Sequence, residues 1–263
     1  DNVTRALKAA VVEQIETTVD DHDLSDEATI FYMVGESLGG WARYHVRADM
    51  VQGQVDEEYY QRAKAALLTY QMSIRDLANF AIPNDTAYLS AQPTFFGQQA
   101  GYPGAIMGNF FGNHDQVRAL TEAGGDHQRL RLAQAFLFTS PGNIPMLYQG
   151  DDIGTFGGQD PDNREMMRFG GLSADEQASL LHAQLLGKAR EEHEALRRGT
   201  RQHVLLEDWF WVYRVTYEDD EVYVAINRDG PKSYAPPAGY VDVLGHCAGD
   251  NVPSQRACVF VAP

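Results

Sequence analysis

The sequence has 263 residues, 44% of them hydrophobic and 22% charged, enough for one large domain or a domain with an appendage and too apolar for wholesale disorder. Thirty-seven acidic against 21 basic side chains give a net charge of −16, which argues against nucleic-acid and anionic-lipid partners, since phosphate binding needs clustered Lys and Arg. No apolar stretch approaches the ~20 residues that cross a bilayer, so no membrane partner is expected and a neutral substrate suits the charge.

Val3, Leu7, Val11, Ile15 and Val19 recur every four residues and predict an amphipathic helix from the start of the chain. "DDHDLSDE" breaks it. "ATIFYMVGE" then reads as a buried strand, continuous in apolar residues, stopped by Gly35 and followed by Glu36. Helical patches without strong caps occupy residues 51–80, and "IPNDTAYLSAQPTFFGQQAGYPG" reads as a loop with Pro and Gly punctuation. "AIMGNFFG" is a second buried strand that runs straight into Asn113, His114 and Asp115. "DHQRLRLAQAFLFTS" is a helix stopped by Pro141 and Gly142, and "IPMLYQG" a third strand before a Gly/Asp-rich loop. Ser173 and Glu176 form a capping box for a leucine-rich helix that ends at Gly199.

This alternation of helix and strand argues for parallel strands with crossover helices over residues 1–199. From residue 200 onward the pattern alternates on period two around an acidic turn, which predicts a small antiparallel β domain over 200–263. Cys247 and Cys258 lie close enough in sequence to bridge a hairpin in an exported protein, or to remain two buried thiols. Secretion or the periplasm is favoured over the cytoplasm, without a signal sequence to fix the compartment. The chain opens at "DNVTRAL" rather than at Met, which reads as a fragment or a processed chain.

In a parallel β/α barrel the chemistry sits at the carboxyl ends of the strands. Here one strand end carries Glu36, the next Asn113, His114 and Asp115, and the third Tyr148, Asp151 and Asp152. Carboxylates converging on one cleft cost stability unless chemistry needs them. Glycoside hydrolysis needs two: one acid protonates the leaving oxygen while a second carboxylate attacks or stabilises the sugar cation. Burial and neighbouring acids would raise the pKa of Glu36 and suit it to the acid role. His114 and Asp115 read either as sugar ligands or as an Asx turn capping the next helix. Tyr88, Phe95, Phe96 and Tyr102 read as sugar-stacking rings or as ordinary cover for the barrel rim. Phosphate-loop, clustered-His and serine-elbow motifs do not occur.

"FYMVGES", "FGNHDQVR" and "GNIPMLYQGDDIG…QDPDNREMMRF", in that order, resemble three regions of the α-amylase family of glycoside hydrolases. The resemblance implies an α/β fold, the C-terminal half of a TIM-type (β/α)8 barrel followed by a small antiparallel β-sandwich domain. It implies Glu36 as general acid/base, Asp115 as transition-state stabiliser, and His114, Asn113, Arg164 and Tyr148 as substrate contacts, with Asp162 bracing the rim. Asp1 stands where the family's nucleophile would fall, although it also reads as a helix N-cap.

The implied activity is that of a retaining α-glucan hydrolase or transglycosidase acting on an oligosaccharide, inactive as a fragment. The competing reading is a non-catalytic carbohydrate-binding or structural relative. No cofactor is expected, calcium being a feature of the intact enzyme with ligands from earlier segments. A half barrel leaves two strand edges unpaired, which predicts self-association or a missing N-terminal half.

Overall fold

The computed structural model describes residues 2–18, 32–38, 42–47, 50–89 and 106–262. The expected first helix is α1 (Asn2–Thr18). The apolar run that follows yields β1 (Val34–Glu36), and only its described part can be compared. That part is less buried than expected, with Val34 49% exposed and Glu36 also exposed. The reason is position: among the described residues β1 is hydrogen-bonded on one side only and forms an edge of its sheet.

Between β1 and the second strand read from the sequence lies a strand that periodicity did not reveal. After α2 (Ala42–Arg47) comes β2 (Gly53–Val55), which carries Gln54, with Gln52 just before it, rather than an apolar run. Both glutamines are buried because they tie the edge strand down. Gln52 Oε1 accepts the Met33 amide at 2.8 Å, and Gln54 packs where a side chain at position 35 would stand, beneath Gly35.

The next helix is better capped than expected. Asp56 accepts the Tyr59 amide at 3.1 Å and opens α3 (Glu57–Ala63), which continues as a π turn over Lys64–Leu68. α4 (Ile74–Leu89) then runs through residues 82–89, expected to be loop, with Pro83 inside it. Proline removes one backbone donor. Burial of Ala81, Asn84, Asp85, Ala87 and Tyr88 outweighs that loss.

β3 (Met107–Phe110), α5 (Ala119–Glu122), α6 (His127–Phe138) and β4 (Asn143–Met146) complete the parallel sheet, in the order β1-β2-β3-β4. The register runs Glu36 to Val55 and Val55 to Gly108, then Phe110 to Met146. α7 (Ala174–Glu192) carries the expected capping box on Ser173 and Glu176, and α8 (Ala195–Arg198) ends at Gly199.

Beyond Gly199 the chain forms β5 (Thr200–Leu206), β6 (Phe210–Tyr217), β7 (Asp220–Asn227), β8 (Lys232–Ser233), β9 (Val241–Asp242), β10 (Asn251–Val252) and β11 (Arg256–Val261). Five of these make an antiparallel sheet ordered β5-β6-β7-β11-β9. The period-two alternation sorts their side chains onto two faces. Trp211, Tyr213, Val215, Val224 and Val259 share one core with the helices, whereas Phe210, Val212, Ala225, Cys258 and Phe260 form a second with Val252 of β10. The expected sandwich is therefore uneven, its second layer being the two-stranded β8–β10 ribbon.

Arg201 of β5 joins the two parts. Its buried guanidinium lies 2.9 Å from Asp85 of α4 and faces the rings of Phe136, Trp211 and Tyr213. Cys247 and Cys258 form a disulfide. No helix among the described residues is long and apolar enough to cross a membrane.

Candidate active site at the carboxyl edge of the parallel sheet

Because β1, β2 and β3 run parallel, Glu36 and the segment after Phe110 emerge at the same edge of one sheet. Two strand spacings, ~10 Å, separate β1 from β3. Glu36 is the last residue of β1, and the hydrogen bond from Ser37 Oγ to Gln54 Oε1 (3.3 Å) holds the chain just beyond it. The carboxylate is solvent-exposed, not buried as expected.

The segment after β3 is an Asx turn: Asn113 Oδ1 accepts the Asp115 amide at 2.8 Å. This turn does not cap the next helix, since α5 begins at Ala119 with Arg118 as its N-cap. The turn instead presents His114 and Asp115 outward, with His114 Nε2 3.4 Å from Asp115 Oδ2 and both side chains more than half exposed. Asn113 spends its side-chain oxygen on the turn, which fixes the direction in which its neighbours point.

Two residues of the following loop hold this turn from below. Asn163, fully buried, donates from Nδ2 to the carbonyls of His114 and Gln116, each at 2.9 Å. Arg164 donates from Nε to the His114 carbonyl at 3.1 Å, and its Nη2 sits 3.6 Å from Asp115 Oδ1. Arg164 also pairs with Asp160 at 3.0 Å. The bracing expected of Asp162, which is exposed, thus falls to Asn163 and Arg164. Asn163 escaped the sequence reading because a buried amide and an exposed one look alike there.

Arg118 links the exits of β3 and β4. Its guanidinium is completely buried, donates to the Gln149 carbonyl at 2.7 Å, lies 3.1 Å from Asp151 Oδ1 and covers the ring of Tyr148 at 4.2 Å. Gly112 makes room for this pair, because a Cβ there would fall on the Asp151 carboxylate. Burial pushes the Asp151 carboxyl up from its ordinary 3.8 to about 7, against the pull of Arg118 and with a small push from Asp152. Asp151 is therefore a floor residue, enclosed and turned away from solvent, while Tyr148 stands half-buried above it.

Tyr88 does not join the rim. It is buried with Val46, Val51 and Met107, and Met107 opens β3 at the opposite edge of the sheet. Asp1, Phe95, Phe96 and Tyr102 lie outside the described residues. Among the described residues, Asp242, Cys247 and Cys258 converge as a metal-ligand set would. Their disulfide removes both thiolates, and Asp242 already accepts the amides of Leu244, His246, Cys247 and Val259, at 2.7–3.1 Å.

A family model described as the catalytic domain of alpha amylase matches residues 7–199. A cyclomaltodextrinase of a Bacillus species is 34% identical over 137 residues, 50% of this chain and 24% of that protein. A cyclomaltodextrin glucanotransferase of Geobacillus stearothermophilus is 33% identical over 150 residues, 54% of this chain and 20% of that protein. The solved α-amylase of Geobacillus thermoleovorans, complexed with acarbose, matches at TM-score 0.69 with 26% identity, over 90% of this chain and 54% of that one. The chain spans about a quarter of the first curated relatives and about half of the solved neighbours. With parallel β/α units followed by antiparallel strands, these likenesses put the fold in the class of a TIM barrel with a C-terminal β domain.

Two outcomes test the floor of the site. Arg118→Met strands a buried carboxyl and is expected to cost about 3 kcal/mol in denaturant unfolding, with most of it recovered in Arg118→Met/Asp151→Leu. A loss below about 1 kcal/mol would make the pair no more than a surface contact. A folded pKa raised above 3.8 means that the folded chain holds the extra proton between about pH 4 and 7, so this contribution is present in acid and lost as pH rises through about 7. The stability advantage of the wild type over Asp151→Asn should therefore be larger at pH 5 than at pH 8, and a larger advantage at pH 8 would mean that Arg118 holds Asp151 ionised.

Proposed function

The chain belongs to the alpha-amylase family, and on that premise we propose that it supplies half of the active site of a retaining α-glucan hydrolase or transglycosidase. One observation carries the reading: Glu36 closes β1 while His114 and Asp115 follow β3, at the same edge of one parallel sheet. Glu36, exposed at that edge, is the general acid/base that protonates the glycosidic oxygen and later deprotonates water or an acceptor hydroxyl. Asp115, braced by Arg164, is the carboxylate that stabilises the oxocarbenium-like transition state through the sugar hydroxyls. His114 and Tyr148 line the same subsite, and Asn113 orients the turn that offers His114.

The nucleophile in this reading is Asp1, whose carboxylate must come within ~5–5.5 Å of Glu36 for retention. The substrate is an α-glucan or maltooligosaccharide, the chemistry that the relatives' names share. The barrel is completed by a further four strands, from an N-terminal half or from a second copy. Apolar side chains exposed along both edge strands support this: Val34 on β1, and Ile144, Met146 and Leu147 at β4. Such surface is ordinarily covered in a folded barrel.

In the intact protein, Glu36→Gln is expected to lower turnover of maltooligosaccharides by about 10²–10⁴-fold while oligosaccharide binding persists. Undiminished turnover would reject the acid/base role and favour the non-catalytic alternative. This chain alone should hydrolyse no maltooligosaccharide and should gain activity when mixed with an N-terminal half. Full activity alone would contradict the half-site.

A further inference from the structure

Between α6, α7 and the last strands a cavity of about 260 Å³ opens, walled by Arg131, Leu181, His182, Leu185, His246 and Arg256. Its polar groups are arranged unlike a surface ion-pair patch. Arg131 is nine-tenths buried, and its guanidinium is bonded only through Nη1, to the neutral Ser179 hydroxyl at 3.3 Å. Arg256 donates to Gln128 Oε1 and to the Gln255 carbonyl at 3.1 Å, also neutral acceptors. Among the described residues neither guanidinium has a carboxylate partner, although the chain carries 37 acidic side chains against 21 basic ones.

The two charges feel each other. Burial first, and the Arg256 charge second, push the Arg131 pKa down, while Asp175 and Asp126 act on it only through space. The rings of His182 and His246 complete the wall, stacked with centroids 5.4 Å apart, and burial holds His182 well below the usual histidine range. His182 Nε2 faces the Arg131 carbonyl at 2.9 Å and His246 Nδ1 the Ala257 carbonyl at 2.9 Å. A carbonyl only accepts, so those nitrogens carry protons. Leu181, Leu185 and Leu244 supply an apolar side to the same space.

Two like charges facing one cavity cost stability unless a group of opposite charge faces them. We propose that this cavity binds a small organic anion, a carboxylate or phosphate monoester on a compact apolar body. The anionic head lies between Arg131 and Arg256, and the body rests on Leu181, Leu185 and Leu244. The site is independent of the sugar chemistry at the sheet edge and survives if that reading fails. Because its walls come from α6, α7 and the chain around β11, occupancy would stabilise the junction between the helices and the antiparallel sheet by mass action.

Titration calorimetry of the full chain with benzoate, phenyl phosphate and benzyl alcohol tests this. At least one anion is expected to bind saturably, and benzyl alcohol about tenfold or more weaker. Whichever anion binds tells which head group the site takes. Arg256→Gln should weaken the anion about tenfold or more. Leu181→Asp, at an exposed position that tolerates a polar side chain, should abolish binding by placing a negative charge at the mouth. The proposal is overturned if neither anion saturates, or if binding is unchanged in Leu181→Asp, a result that stands even if Arg256→Gln fails to fold.

Discussion

The rim of this protein depends on a charge that water never reaches. Arg118, enclosed on all sides, reaches from the segment after β3 to the Gln149 carbonyl and Asp151 after β4, and its flat face carries Tyr148. A guanidinium is suited to the task because it keeps its charge when buried and stacks on an aromatic ring, and here its Nη1 alone reaches both acceptors. Strand register alone would fix where the two strands end, but not where the loops beyond them go. The buried pair does the second, and Gly112 exists at its position because the Asp151 carboxylate occupies the space of a side chain.

Above that floor sits a second tier, made from the Pro-Asp-Asn-Arg segment. Asn163 and Arg164 hold the His114 carbonyl from two directions, which leaves the His114 and Asp115 side chains free to face solvent. The exposed Asp115 is thus mounted on a turn held by the buried Asn163 amide and by Arg164. That division reconciles an acidic, solvent-facing rim with a stable fold: its exposed charges are screened by water, while Arg118 beneath them has Asp151 beside it.

Much of this was legible in the sequence. The α1 stripe, the Ser173–Glu176 capping box and the period-two strands after Gly199 follow from side-chain spacing, and "FGNHDQVR" placed a polar cluster at a strand end. Three features were not legible. β2 hid because the buried side chains at it are Gln52, just before it, and Gln54, which bond Met33 and Ser37 on either side of β1. α4 passed through Pro83 because packing of the residues after it outweighed the local penalty. Asn163, Asp151 and the two guanidiniums beside the α6–α7 cavity owe their roles to neighbours remote in sequence, which no local pattern encodes. Glu36 erred the other way, expected inside and found exposed on an edge strand.

The account stands on a shared sugar subsite formed by two strands that are not neighbours. A crystal structure of the intact protein with a bound maltooligosaccharide tests it most directly. One glucosyl ring should touch the Glu36 carboxylate on one side and His114 with Asp115 on another. A ring that contacts only one of these strand ends, or an oligosaccharide seated elsewhere with both ends empty, would contradict it.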